Sequence, residues 1–448
     1  MEEENTYLDK YRPDSENRAR DLRILVLGMG GGGSNAVNHM YRQNPEGIEF
    51  VVLNTDAQAL RMSPVPTKLL IGPNTTGGFG AGGKPEIARE AAEESIEEIE
   101  ALLEPRPNMV FITAGMGGGT GTGASPVVAR AVKSRGILTV GIVTIPFFFE
   151  GMPKIRKALR GADELGKYTD ALLVINNERL TEIYPKLGFT QAFAKADDIL
   201  TTAASSISEI VTTPSMINLD MRDVDSTLRD GATALISVGY GEGENRMTQA
   251  IQNALHSPLL RDSDVYSAKR LLFAFYFSPD IDPPYTAEES NEITQFIRDM
   301  NLEVEVIWGY GLDDSLGNQV KFTLLAAGFD ITVSDTPREG RQTIEGAQAP
   351  VVEDDPEMRR RMAEMYGNEK VEEVIRKQET QNYIILDADQ LDNDDVIDMI
   401  ERTPAYQRDK RVASSVRTGV QYQAAARADN NRNDNKKTNS ISFSPDDL

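Results

Sequence analysis

Solid apolar runs and spaced apolar repeats alternate along the first half of the chain. Leu22-Arg23-Ile24-Leu25-Val26-Leu27 reads as a buried strand that runs into Gly28-Met29-Gly30-Gly31-Gly32-Gly33-Ser34-Asn35 and then into a helix over residues 36–41. Residues 50–53 form the next strand and residues 85–103 a helix. Met109-Val110-Phe111-Ile112 is a strand that breaks into glycines over residues 114–124, and a helix restarts at Pro126. Strands over 138–145 and 171–175, the latter ending at Asn176-Asn177, continue the pattern. Alternation of this kind predicts an α/β fold with a doubly wound, mostly parallel sheet, whose ligands sit at the carboxyl ends of the strands.

Between residues 191 and 211 the apolar positions Phe193, Ala196, Leu200, Ala203, Ile207 and Ile210 recur every three or four residues. That spacing predicts a long central helix with one apolar face, capped by Thr190 and stopped at Thr212-Thr213-Pro214. Phe193 and Asp197 lie one turn apart near its start and share a face. Residues 216–224 read as a short loop carrying Asp220 and Asp223, a place where carboxylates are ordinarily just solvated. Residues 225–335, with strands over 232–238, 270–277 and 320–327 and a helix over 246–256, predict a second, α+β domain.

Beyond residue 335 the sequence turns polar. A charged, helix-prone piece over 356–378 is expected to form no core. Between Lys377 and Arg402 there are eight acids and no base, and from Arg402 to Lys437 nine bases against three acids. Blocks of like charge predict a disordered tail that serves interaction. Within it Val396, Ile397, Met399, Ile400, Ala405 and Tyr406 supply apolar surface for a segment that folds on a partner.

The two glycine-rich strand-to-helix junctions are the candidate chemistry. Each puts bare backbone N–H groups and a helix N-terminus at one point, which is an anion site, and Thr120 and Thr122 add hydroxyl donors. The first junction also matches Gly-x-Gly-x-x-Gly through Gly28, Gly30 and Gly33, with Asp56 after the next strand where a ribose-binding acid would stand, so a dinucleotide-dependent enzyme is a rival. A third segment, Gly78 to Gly83-Lys84, mimics a Walker loop but ends in Pro85 where a magnesium-binding Ser or Thr is required, and proline also removes an N–H. It is read instead as a loop feeding the next helix, with Lys84 near a phosphate.

Composition narrows the choice. The 448 residues contain no cysteine, which excludes disulfides, thiolate zinc sites and a cysteine nucleophile. His39 and His256 are the only histidines, leaving almost no room for a His-ligated metal or a Ser-His-Asp triad. A net charge of −23 argues against a broad phosphate-backbone contact, and so against a nucleic-acid partner. The longest nearly apolar run, 137–149, contains Pro146 and is too short to span a bilayer. The first residues, Met1-Glu2-Glu3-Glu4-Asn5, lack the apolar stretch of a secretory signal, so a cytoplasmic protein without direct membrane insertion is expected.

Gly115-Met116-Gly117-Gly118-Gly119-Thr120-Gly121-Thr122-Gly123 resembles the signature of the tubulin/FtsZ GTPases. Asn54-Thr55-Asp56-Ala57-Gln58-Ala59-Leu60, Phe149-Glu150-Gly151 and Ser257-Pro258-Leu259-Leu260 extend the resemblance to bacterial FtsZ over residues 22–330. The resemblance turns the first glycine loop into a phosphate loop and disfavours the dinucleotide reading. It implies a flexible arm over 1–21, a GTP-binding domain over 22–189, the central helix over 190–214 and an activation domain over 215–335. An acidic linker over 336–394, a partner-binding peptide over 395–411 and a basic, polar tail over 412–448 would follow.

Carried over by position, Gly31, Gly32, Gly33, Ser34, Asn35, Gly119, Thr120 and Gly121 would hold the phosphates of GTP or GDP, and Glu150 the ribose. Phe193 would stack on guanine while Asn177 and Asp197 bond its edge. Asn218, Asp220 and Asp223 would form the catalytic loop, acting on the nucleotide of the neighbouring subunit in a head-to-tail filament of the cell-division ring at midcell. No protein ligand fixes a metal, so Mg²⁺ would be bound mainly through the phosphates. The C-terminal peptide would bind division proteins, including membrane tethers. Several positions depart from the family pattern: Lys154 stands where an arginine often contacts the nucleotide, and Met221 and Arg222 replace the usual Phe and Ala. Gln407 sits where the peptide is commonly apolar, and 38 residues follow Lys410.

Overall fold

The computed structural model describes residues 22–43, 45, 47–183, 186, 188–213, 215–255, 268–286, 289–298, 304–328 and 356–382. Six strands, β1 (Ile24–Met29), β2 (Ile48–Asn54), β3 (Thr67–Leu70), β4 (Met109–Gly115), β5 (Leu138–Ile145) and β6 (Ala171–Asn176), pair in the order 3-2-1-4-5-6 and are all parallel. Helices α1 (Gly30–Gln43), α2 (Ala57–Met62), α3 (Pro73–Thr76), α4 (Pro85–Glu94), α5 (Ile96–Ala101), α6 (Thr120–Ser134), α7 (Met152–Gly166) and α8 (Asn177–Ile183) connect them. Ile24, Val26, Phe50, Val52, Met109 and Phe111 face a core shared with α1, while Leu25 and Leu27, pointing the other way, are equally buried. Strands buried on both faces explain the solid apolar runs.

The central helix, α9 (Phe189–Thr212), buries Ala196, Ile199, Leu200, Ala203, Ala204, Ile207 and Ile210 in the same core. Its cap is Gly188, whose N–H donates to Gln191 Oε1 at 3.0 Å; Thr190, expected to cap it, is already the second helical residue. The glutamine three residues on satisfies the entry N–H, so no hydroxyl is required there.

A second lobe continues the sheet. It comprises β7 (Ser215–Ile217), α10 (Met221–Leu228), β8 (Ala232–Glu242), α11 (Arg246–Leu255), β9 (Arg270–Phe277), α12 (Ser290–Arg298), β10 (Glu305–Leu312) and β11 (Gln319–Ala327). Its strand order, 8-11-9-10-7, joins the first half through a short parallel pairing of β6 with β8 at Ala171–Ala232 and Leu172–Thr233. A separate unit holds α13 (Pro356–Tyr366) and α14 (Asn368–Asn382), split by Gly367 at φ +90°. There Met358, Met362, Tyr366 and Val371 are buried and the Arg359 guanidinium grips Glu372 at 2.8 and 3.1 Å. The expectation of a helix-prone piece without a core is corrected: methionines spaced four apart and a tyrosine one turn on suffice to bury one face.

Three boundaries also differ. Both helices after the glycine loops start early, at Gly30 and Thr120, because tertiary packing overrides the poor helix propensity of glycine. The helix expected over 85–103 breaks at Ser95, whose hydroxyl accepts the Gly72 N–H at 3.0 Å. The segment over 216–224, read as a loop, is a short strand, a cap and the first turn of α10. The Ser257-Pro258-Leu259-Leu260 motif, the N-terminal arm and the segment 395–411 lie outside the described residues, and no described helix is long and apolar enough to cross a membrane.

Candidate nucleotide site

The strand order reverses between β1 and β4, and both glycine loops emerge there, at the carboxyl ends of adjacent strands. The glycines are needed because the two loops interlock. A Cβ on Gly33 would lie 2.2 Å from Thr113 O, and one on Gly30, at φ +67°, 2.8 Å from Gly121 N. Toward solvent the situation is opposite: nothing lies within 4 Å of a Cβ placed on Gly31 or Gly118. The result is an open cradle floored by two helix N-termini, α1 and α6, each rich in backbone donors.

Polar side chains line it. Thr55 and Thr120 share a hydrogen bond between hydroxyls at 2.7 Å, and Thr122 Oγ1 accepts the Gly117 N–H at 2.9 Å. Thr55, part of the Asn54–Leu60 motif, reaches the cradle because it directly follows β2. Among the described residues, Ser34 Oγ is buried and makes no hydrogen bond, and the same holds for Asn177 Oδ1 at the start of α8. Buried polar atoms without partners are costly, so a ligand that engages them fits the site.

Glu150 is fixed by the Phe147 N–H, which donates to Oε1 at 2.8 Å, and by the Lys154 ammonium on Oε2. The stem of Lys154 backs Gly117, where a Cβ would meet Lys154 Cγ at 2.9 Å. The residue standing in the arginine position is thus paired with the carboxylate assigned to ribose.

Asp197, eight residues into α9, is pushed up to about 6 by burial; His39 opposes the shift and Asp198 adds to it. His39 reaches across from α1 to share a hydrogen bond with Asp198 Oδ1 at 2.7 Å, tying the helix under the phosphate loops to the helix carrying Asp197. Phe193 lies in α9, but its side chain is outside the described residues.

Asp220, Asp223 and Asn218 are not brought to this cradle. Thr212, the last residue of α9, packs beside Gly47 at the amino end of β2, opposite to the end that carries the glycine loops. The helix has 24 residues, so it spans about 36 Å. β7 follows as the far edge of the sheet, seven strand steps from β4, or about 34 Å. Asp220 then caps α10, accepting the Arg222 and Asp223 N–H groups at 2.7 and 3.3 Å, while Asp223 Oδ2 accepts the Asp220 N–H at 2.8 Å. This capping box orients both acids and leaves one oxygen of each for another partner. Apolar residues are exposed at both ends, Phe79 and Phe149 by the cradle and Met216 beside the acid loop.

Parallel strands in the order 3-2-1-4-5-6 with a glycine cradle at the reversal, a long central helix and a second α+β lobe define a nucleotide-binding protein of the tubulin-like class. The family comparisons agree. The GTPase-domain model of the Tubulin/FtsZ family matches residues 23–185, the FtsZ C-terminal domain model 232–330, and a further FtsZ C-terminal model 377–422. Cell division protein FtsZ of Porphyromonas gingivalis is 46% identical over 395 residues, covering 86% of this chain and 85% of that protein. The Aquifex aeolicus protein of the same name is 42% identical, covering 70% and 85%. Among solved structures, an empty FtsZ dimer from M. jannaschii aligns with a TM-score of 0.64 at 36% identity, over 79% of this chain and 100% of that one. The chain belongs to the FtsZ family and is a GTP-binding GTPase of the cell-division cytoskeleton.

Proposed function

We propose that the chain polymerises head to tail and that each GTP is hydrolysed between two subunits. The carrying observation is that the phosphate cradle lies at the carboxyl ends of the strands while the Asp220/Asp223 loop follows the far end of α9, a helix about 36 Å long whose last residue packs at the amino end of β2. Two half-sites at opposite poles are completed by a heterologous contact, which propagates as an open filament. The exposed Phe79, Phe149 and Met216 support such a contact, since each pole carries apolar surface that a partner would cover.

In this reading Gly31, Gly32, Gly33, Ser34, Asn35, Gly119, Thr120 and Gly121 hold the phosphates and Glu150 with Lys154 borders the ribose. Phe193 stacks on guanine while Asn177 and Asp197 bond its edge. From the next subunit Asp220 and Asp223 polarise and orient the attacking water, with Asn218 beside them; positioning of this kind contributes about 10²–10⁴ in rate. Among the described residues no group of three or more acids or histidines can hold a metal ion. A magnesium ion would be bound mainly through the phosphates, with water completing its oxygen shell. The filament would form the ring at midcell, and the peptide at 395–411 would bind membrane-tethering division proteins.

The absence of cysteine makes a direct test clean. A Phe79→Cys, Met216→Cys double variant treated with a short bis-maleimide should give a GTP-dependent ladder of cross-linked multimers. Monomer alone, in samples that pellet with GTP, would contradict head-to-tail contact.

A further inference from the structure

The helix that presents Asp220 and Asp223 is held at its other end by a guanidinium from a different element. α10 has eight residues, so it is about 12 Å long. Val224, Thr227 and Leu228 are buried, but a helix of two turns has little rigidity of its own, and its direction depends on how its ends are held. The amino end carries the capping box of the two acids. At the carboxyl end Arg270, the first residue of β9, donates from one guanidinium nitrogen to Ser226 O at 2.5 Å and to Arg229 O at 3.0 Å.

Among the described residues Arg270 makes no ion pair, although Glu305 is its neighbour in register on β10. Its charge is directed instead at the carbonyl end of α10, where a cation complements the helix dipole and satisfies carbonyls that have no partner within the helix. Arg229 is engaged elsewhere: it forks onto Asp225 one turn back at 3.0 Å and faces the buried Asp170 at 3.8 Å. Lys133, near the end of α6, is the second cation on Asp170, at 3.4 Å.

We propose that Arg270 is a positioning residue for hydrolysis: by gripping the last turn of α10 it fixes the angle at which Asp220 and Asp223 meet the nucleotide of the next subunit. With the grip about 12 Å from the acids, a tilt of about 5° moves the carboxylates by about 1 Å. A displacement of that size can cost about 10²-fold in rate. The capping box does not prevent it, because the box tilts with the helix. The inference rests on the reading of Asp220 and Asp223 as the groups that polarise the attacking water.

The test is GTP turnover by the full chain above its assembly threshold, normalised to pelleted polymer, together with GTP affinity below that threshold. Arg270→Met keeps the stem and removes the donors; it should lower kcat about tenfold with GTP affinity within about twofold of wild type. Arg270→Gln, whose neutral amide is too short to span both carbonyls, should show the same fall, so the result does not depend on the methionine variant folding. Arg270→Lys keeps a cation that reaches the carbonyls and should bring kcat back to within about threefold of wild type. Lys133→Met is the control for stability alone, because it strips a cation from Asp170 without touching α10. It should lower Tm and leave kcat per polymer unchanged. Equal falls in turnover in the Arg270→Met and Lys133→Met variants, a fall that Arg270→Lys does not rescue, or an unchanged kcat in Arg270→Met and Arg270→Gln would each overturn the assignment. Asp220→Asn separates the two readings. If it loses turnover while Arg270→Met and Arg270→Gln keep it, only the positioning role fails; if it keeps full turnover, the acid-loop reading itself fails.

Discussion

Asp220 and Asp223 hold one another in place: Asp223 Oδ2 accepts the Asp220 N–H at 2.8 Å while Asp220 Oδ1 caps the helix that carries Asp223. The carboxylates are therefore preset before any nucleotide arrives, and capping and catalysis can be separated by mutation. Asp220→Asn keeps an effective cap and removes the charge. It should lower kcat by about 10²–10⁴ with unchanged GTP affinity and melting temperature. Asp220→Ala should lose the same activity and also about 1 kcal/mol of stability, seen as a fall of about 2–4 °C in Tm.

Asp197 should make nucleotide binding depend on pH. Its folded-state pKa of about 6 lies above the ordinary 3.8, chiefly through burial. In the proposed reading Asp197 accepts from the guanine edge as a carboxylate, so GTP affinity should fall as pH drops through about 6. Asp197→Asn should flatten the profile and weaken binding about 10- to 100-fold.

The same residue has a stability signature of opposite direction. Because folding raises its pKa, Asp197 contributes stability that is complete below pH 3.8 and lost as pH rises through about 6. Thermal melts of the nucleotide-free protein at pH 7.5 should therefore show Asp197→Asn to be as stable as wild type or more so. A clear loss of Tm there would contradict the burial of an ionised carboxyl.

The cradle glycines should differ sharply. Gly33→Ala forces a Cβ to within 2.2 Å of Thr113 O in the parallel sheet. It should cost about 3 kcal/mol or more, or prevent folding. Gly31→Ala meets nothing within 4 Å, and its Tm should stay within about a degree of wild type.

Much of this was legible in the chain. The solid runs at 22–27 and 109–112 each end in glycines, and that combination alone located the cradle. The helix starts are not legible because glycine and threonine are poor helix formers in isolation, whereas close approach to Thr113 and Gly121 requires glycine at 33 and 30. The Asp220-x-x-Asp223 spacing was itself a capping box, but without knowing that β7 precedes it the stretch reads as a solvated loop. β10 was not anticipated. Its Gly309 and Gly311 break the strand pattern, and they are there because β7 runs so close that a Cβ on either would lie within 3 Å of Ile217 O or Ser215 Oγ. The length of α9 was readable from its apolar spacing, but the separation of the two half-sites also needs the packing of its last residue beside Gly47, which no local pattern shows.

The apolar poles give a further expectation. Met216 is 69% exposed beside the acid loop, more than a monomer requires of a methionine. Met216→Glu should leave folding and GTP binding intact and raise the critical concentration for sedimentable polymer about tenfold.

The most direct test of a site shared between subunits is GTP turnover measured against protein concentration, with sedimentation of the same samples. Specific activity should be near zero below a threshold concentration and rise above it together with pelletable polymer. Turnover proportional to concentration from the lowest dilution, in samples that do not pellet, would place catalysis within one chain and contradict the account.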